Sequence, residues 1–265
     1  MKKLIGVGVG PGDPELVTVK AVRVLGQSDV VFVPVMAGPG GETPGAGRAE
    51  TTIRAHIGPE RIRRVAFALN DRGGITARRT SAWHMAAREV AVAFEDGATT
   101  VSFGTIGDPN LYSTFSYLAQ TVRGMVPDVR VETIPGITAM QDLAARSAGT
   151  VLAEGTEPLV LLPLTAGAGA LGDALGRAGT VVGYKLGAVA GPAPEELLGL
   201  LAGAGRLDGA VVGSRLGLPG EDIRPAADLA RLPAVPYLST LIVPARRDRG
   251  AGVGSSLGRP AGETT

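Results

Sequence analysis

Apolar positions along the chain fall into two alternating patterns. Short β-branched runs, LIGVGV, DVVFVPV, RVAFAL, TTVSFG and VRVETIP in the first half and LVLLPL, TVVGYK, GAVVGS and YLSTLIVP in the second, are separated by stretches whose apolar residues recur at helical spacing. Strands alternating with helices predict an α/β fold with mostly parallel strands and both faces of a sheet covered. Asp13 as N-cap and Pro14 at the first helical position predict a helix from there to about Gln27. A longer helical pattern spans Gly73 to Asp96 through Trp83, Met85, Ala86, Val90 and Phe94, and then turns at Gly97 into a strand from Thr99 to Gly104. Further helices are expected from near Asn110, after Thr138, and in small residues across Ala166 to Gly179.

Breaks in these patterns set the domain organisation. Glycine and proline interrupt the helical pattern around Gly124 to Asp128, so two lobes are expected, 1–124 and 125–245. MAGPGGETPGAGR, Met36 to Arg48, follows a strand and is rich in turn formers, which predicts a long mobile loop, either a lid or an insertion. Beyond Pro244 the chain has almost no apolar residues, and 246–265 is expected to be a disordered tail that cannot repay its ordering entropy.

Composition then removes several kinds of chemistry. A formal charge of +1 over 265 residues provides no global field for nucleic acid or an anionic membrane, so an anionic ligand must be met locally. There are no cysteines, which excludes disulfides, iron–sulfur clusters and thiolate nucleophiles, and two histidines, His56 and His84, are too few for a histidine metal cluster. No bound metal is expected. His84, beside Trp83 on a helix, reads as a half-buried structural residue. Glycines break the apolar N-terminal run before Asp13 closes it, which argues against a signal peptide, and no segment reaches membrane-spanning length; a cytoplasmic protein is expected.

The opening LIGVGVGPGDP looks at first like a phosphate cradle, a strand running through glycines into a helix. The spacing refuses it. Glycines stand at 6, 8, 10 and 12, so the last position of a G-x-G-x-x-G falls on Pro11 or Asp13, and Asp13 puts negative charge where phosphate would sit. Taken alone, these glycines read as a tight strand-to-helix turn. Two later segments repeat the architecture: TTVSFGTIGDPNLY with Gly104, Gly107 and Asp108-Pro109, and VETIPGITAMQDLA with Pro135, Gly136 and Thr138. Three such turns at the carboxyl ends of strands can line one cleft with backbone groups.

In this order, GVGVGPGDPELVTVKAVRVLGQSDVVFVP, TIGDPNLYST, ETIPGITAMQDLAA, VGYKLG and PYLSTLIV resemble the tetrapyrrole (corrin/porphyrin) methylases over Lys3 to Pro244. Within that family, SDVVFVPV, IGDPNLYSTFSYL and PGITAMQDLAAR are most similar to the precorrin-2 C-20 methyltransferases of cobalamin biosynthesis. The resemblance implies two α/β lobes with a cleft between them, S-adenosylmethionine as cofactor, a tetrapyrrole substrate and a homodimer. Carried over by position, it implies cofactor contacts at Thr105, Ile106, Gly107, Asp108, Pro135, Gly136, Thr138 and Ala139, and at Leu186, Leu216, Leu238, Ser239 and Thr240 of the second lobe. Pro11 joins the cofactor set and lies with Asp13 on the floor of the tetrapyrrole trough.

Methyl transfer from a sulfonium to carbon is an in-line displacement that needs alignment and exclusion of water, with a base only to take the displaced hydrogen. Asp108 is the first candidate base and Tyr112 the second, although Asp108 as a helix cap or cofactor contact and Tyr112 as a packing or substrate-wall residue are the plainer readings. A polycarboxylate substrate calls for cations. Arg54 and Lys185 are the candidates, Arg54 from the group Arg54, Arg61, Arg63, Arg64, Arg72, Arg78 and Arg79, which reads equally well as a solvated face. The alternatives are other family members acting on uroporphyrinogen-III, precorrin-3B or cobalt-factor II, a nicotinamide-dependent dehydrogenase, which the glycine spacing disfavours, and a ligand-binding protein without catalysis.

Overall fold

The computed structural model describes residues 1–36, 45–68, 75–147, 150–177, 179–188, 191–231 and 235–247. Five strands, β1 (Lys3–Gly8), β2 (Val30–Met36), β3 (Ile62–Phe67), β4 (Thr100–Thr105) and β5 (Arg130–Ile134), form a first sheet in the order β3-β2-β4-β1-β5. Every pairing in it is parallel. Alternate residues feed opposite faces. Leu4, Phe32, Phe67 and Phe103 pack under α3 (Ala77–Glu95) and α4 (Phe115–Met125). Ile5, Val7, Val31 and Val33 pack under α1 (Val19–Gln27) and α2 (Arg48–Ile53). β1 and β4 are neighbours, yet the helices that follow them lie on opposite faces, which opens a crevice at their carboxyl ends.

The second sheet contains β6 (Leu159–Pro163), β7 (Thr180–Tyr184), β8 (Val211–Ser214), β9 (Asp222–Pro225) and β10 (Ser239–Val243), in the order β6-β7-β10-β8-β9. Only β6 and β7 run parallel; β10 is antiparallel to β7 and β8, and β9 to β8. The expectation of mostly parallel strands therefore holds for the first sheet alone, because seven residues between β8 and β9 are too few for a crossover. One face of this sheet is covered by α6 (Ala168–Leu175) and α7 (Pro194–Gly203) through Leu171, Leu197 and Leu201. The other takes α5 (Ala139–Arg146) through Leu143 and Ala144 against Val182, Val211 and Ile242.

Several expected boundaries move. The helix expected from Pro14 is two elements: Asp13 Oδ1 accepts the Glu15 amide to cap a 3-10 turn, Pro14–Leu16, and extended Val17 and Thr18 separate it from α1, which Thr18 caps. α4 starts at Phe115, not near Asn110, because Tyr112 has φ 51° and breaks any helix there. β5 lies beyond the expected 124/125 lobe boundary and still pairs with β1, so sheet membership changes between Ile134 and Leu159. His84 is exposed on α3 while Trp83 beside it is buried. Of the glycine–proline loop, 37–44 lies outside the described residues, as do Gly73, Arg72 and 248–265 of the expected tail. The start of that tail is tied down. Arg247 pairs with Glu157 at 2.6 Å and Arg246 donates to the Ala204 carbonyl, which gives charged residues without apolar area a reason to stay. Among the described residues no helix is long and apolar enough to cross a membrane.

α2 is anchored by a buried carboxylate. Glu50 is 1% exposed and accepts from Arg54 at 2.6 and 2.9 Å and from Arg64 at 2.7 and 2.9 Å. The Arg64 hydrogen bonds, with those of Arg54, outweigh burial and hold this carboxyl below its ordinary range. The ionised form is favoured in the fold, so its stabilisation is present above about pH 4.3 and is lost as pH falls through the lower folded value. Glu50→Gln should cost about 1–3 kcal/mol at pH 7 in urea unfolding and flatten the acid limb of the stability curve. An acid limb as steep as wild type would show that Glu50 does not carry it.

Candidate functional site

Three turns meet at the carboxyl ends of β1, β4 and β5. The Gly107 amide donates to the Gly10 carbonyl at 2.7 Å, the two residues forming an isolated bridge. A Cβ on Gly8 would stand 2.6 Å from the Gly107 carbonyl oxygen and 2.6 Å from the Gly136 amide nitrogen, and one on Gly136 would run into the same oxygen. Glycine is required at these positions because backbone packs directly on backbone. Asp108 fastens the cluster: Oδ1 accepts the Asn110 amide at 2.8 Å and Oδ2 the Gly136 amide at 3.0 Å. This gives both oxygens of the first candidate base to backbone amides. It also replaces the expected cap on a helix near Asn110 with a link between two turns.

The second lobe closes over this point. α5 leaves the Pro135-Gly136 turn with Thr138 at its N-cap, where Gln141 Oε1 accepts from the Thr138 amide at 2.8 Å. It then packs on the second sheet, and the Met140 amide donates to Tyr184 Oη at 3.1 Å. Leu186, Leu216 and Leu238 to Thr240 gather at the facing end of that sheet: the Leu186 amide donates to the Ser239 carbonyl, the Arg215 amide to the Leu238 carbonyl, and the Ser214 and Ser239 hydroxyls meet at 2.7 Å. Gly12 and Gly217 press the two lobes together, since a Cβ on Gly12 would strike the Leu216 carbonyl and one on Gly217 the Asp13 amide. Pro11 is buried beside this seam.

Between the lobes a pocket of about 260 Å³ is lined by Arg79, Asn110, Tyr112, Ser113, Tyr117 and Lys185, among others. Tyr112 and Lys185 both have left-handed backbone, φ 51° and 62°, which turns the two side chains together, Lys185 Nζ lying 5.4 Å from the Tyr112 ring centre. Burial, aided by the Arg79 charge, holds the Lys185 amine below its ordinary range. Burial and neighbouring Tyr184 push the Tyr112 phenol up, so it stays neutral at pH 7. Behind them Trp83 and Tyr117 stack at 4.2 Å with Arg79 over both rings, 5.3 and 5.8 Å from their centres.

The pocket therefore presents cations and hydroxyls, and the turn cluster presents backbone, small hydroxyls and leucines. The expected contacts from Thr105 to Ala139 and from Leu186 to Thr240 come together around the crevice, whereas Arg54 is committed to Glu50 and Arg64 with it. Arg61 donates to the Gly26 carbonyl and Arg63 lines a different recess with Asp29 and Asp96, away from the crevice. Among the described members of that arginine group, Arg79 lines the pocket. His56 is taken by the Pro14 carbonyl at 2.9 Å. Tyr184, Ser113 and Tyr117 were not singled out from sequence; their positions around the GDP and YKLG turns were the available signal. Asp13 sits near Asp142 and Glu221, where burial raises the Asp142 carboxyl against the pull of Arg146.

A model of the tetrapyrrole (corrin/porphyrin) methylases matches residues 3–232. The chain is 33% identical to precorrin-2 C(20)-methyltransferase of Sinorhizobium sp over 93% of its own length and 97% of that protein. It is 31% identical to cobalt-precorrin-2 C(20)-methyltransferase of Salmonella typhimurium, over 91% and 95%. The solved structure of a cobalt precorrin-4 methyltransferase superposes with a TM-score of 0.62 at 18% identity, covering 91% of this chain and 94% of that one, a likeness of fold.

Asp108→Asn keeps the shape of the link but sets an amide NH2 against one of the two backbone N–H groups. Urea unfolding should show a loss of about 1–3 kcal/mol. Unchanged stability would mean that the carboxylate does not hold the turns together.

Proposed function

The chain belongs to the tetrapyrrole methylases, and on that premise we propose that it transfers a methyl group from S-adenosylmethionine to C-20 of precorrin-2, giving precorrin-3A in cobalamin biosynthesis. The observation that carries this reading is the meeting of the three glycine turns with the leucine-lined end of the second sheet at one crevice. The relatives named for C-20 methylation support the choice of substrate, and the Salmonella typhimurium relative makes cobalt-loaded precorrin-2 the second reading. We place the enzyme in the cytoplasm as a homodimer, in line with the family resemblance.

The residues fit the cofactor. At Gly107, with φ 70°, a Cβ would meet nothing within 4 Å, so the turn leaves room for a ligand where any other residue would fill it. The surrounding donors and acceptors are neutral, Thr105, Ser113, Thr138 and backbone, with Ile106, Leu186, Leu216 and Leu238 as apolar walls, a set suited to an adenine and a sulfonium. Bound there, S-adenosylmethionine supplies an electrophilic methyl group. The chain's own task is alignment: Pro135 to Ala139 and Leu238 to Thr240 hold the donor from two lobes, while Tyr112, Lys185 and Arg79 face the acceptor and its carboxylates. With both Asp108 oxygens engaged and Tyr112 neutral, we assign neither as a strong base; they shape the crevice and exclude water.

Calorimetry with S-adenosylhomocysteine should show saturable binding, and incubation with S-adenosylmethionine and precorrin-2 should give a product one methyl heavier with the new group at C-20 by NMR. No binding at millimolar S-adenosylhomocysteine, or a methyl on another carbon, contradicts the proposal. Gly107→Ala should lower S-adenosylhomocysteine affinity by at least about tenfold while costing only about 1–2 kcal/mol of stability for its left-handed backbone. Equal affinity in the variant would remove Gly107 from the cofactor site.

A further inference from the structure

Tyr184 ends β7 where the two lobes meet, in register with Thr240 on β10. Its hydroxyl and its ring face different partners. α5 leaves the Pro135-Gly136 turn, and Thr138 and Gln141 satisfy each other at its start as a capping box. The Met140 amide in the same first turn is capped from outside the helix, by Tyr184 Oη at 3.1 Å. A residue of the second sheet therefore fixes the start of a helix that leaves the first.

The ring serves the other side of the crevice. It stands edge-on to Tyr112, with ring centres 5.9 Å apart and planes at 63°. Tyr112 lines the pocket between the lobes, and Lys185, the residue after Tyr184, places its amine 5.4 Å from the Tyr112 ring centre. Tyr112 and Lys185 both hold left-handed backbone, a cost that the packing around them must offset. Tyr184 packs on the first and adjoins the second in the chain. Burial pushes the Tyr184 phenol up against the hydrogen bonds of Thr138 and the Met140 amide, so it stays a neutral hydroxyl at pH 7. Phenylalanine would pack on Tyr112 as well; the hydroxyl is what reaches α5.

We infer that Tyr184 is a positioning residue for methyl transfer: its hydroxyl fixes the helix start beside the cofactor turns and its ring fixes the Tyr112 wall of the acceptor pocket, so one side chain sets donor against acceptor. This inference rests on the transfer proposed above and adds to it a residue that acts through Met140 and Tyr112. In-line displacement tolerates little misalignment, a shift of about 1 Å costing about a hundredfold in rate.

The test uses the full chain, Tyr184→Phe and Tyr184→Leu, with S-adenosylmethionine and precorrin-2 as reactants. S-adenosylhomocysteine probes the cofactor site and uroporphyrin the acceptor pocket. The single-turnover rate at saturation is expressed per S-adenosylhomocysteine site counted by calorimetry, so unfolded protein does not enter it. Tyr184→Phe should lower this rate at least about tenfold while both affinities stay within about threefold of wild type, the split expected when binding persists and alignment is lost. Tyr184→Leu, which also takes the ring from Tyr112, should lower the rate further and weaken uroporphyrin binding by at least about fivefold. A wild-type rate in Tyr184→Phe, or a loss carried by affinity alone, would overturn the positioning role. Uroporphyrin affinity equal to wild type in a folded Tyr184→Leu protein would overturn the part given to the ring. A wild-type protein that binds no S-adenosylhomocysteine, or leaves precorrin-2 unmethylated, would instead overturn the functional reading beneath it.

Discussion

The structure depends on the close approach of backbone at Gly8, Gly107 and Gly136. Three strands of a parallel sheet end side by side, and their turns meet without side chains between them. Asp108 holds this contact by accepting one amide from its own turn and one from the next. A Cβ at Gly8 or Gly136 would force the β4 and β5 turns apart. The path of α5, and with it the second lobe, would shift too, because α5 starts three residues beyond Gly136.

That path makes a crevice out of two sheets. α5 begins on a turn of the first sheet and lays Leu143 and Ala144 on the second, so its N-terminus is fixed from both sides. The seam formed by Gly12, Asp13, Leu216 and Gly217 is a second fixed point. Between these points the chemistry is divided. Neutral groups and leucines surround the turn cluster, where the proposed cofactor would lie, and the cations Arg79 and Lys185 line the pocket beside it, where an anionic macrocycle would need them. A net charge of +1 hides this separation completely.

The first sheet was legible in the sequence because each of its strands carries β-branched or aromatic residues in a short segment between helical patterns, even where Arg63 and Arg64 in β3 or Glu132 in β5 interrupt it. β9 was not: in Asp222–Pro225 one apolar residue, Ile223, stands among polar ones on an edge strand, and pattern alone does not mark such an edge. The break between Leu16 and Val19 was equally invisible, since Pro14 starts a 3-10 turn and an α-helix with the same signal. For the site, the three turns could be found from spacing, because backbone geometry follows glycine and proline locally. The partner of Arg64 could not. Its pairing with Glu50 joins β3 to α2, a contact that neither segment's sequence announces, whereas Arg54 reaches Glu50 from four residues along the same helix end.

The central claim is that one cofactor is held by the turns of the first lobe and the leucine-lined end of the second at once. A crystal structure of the protein with S-adenosylhomocysteine tests this most directly. The account predicts ligand density against Ile106 to Asp108 and Pro135 to Thr138 on one side and against Leu186 and Leu238 to Thr240 on the other. Density confined to one lobe, or lying elsewhere with these turns free of ligand, would contradict it.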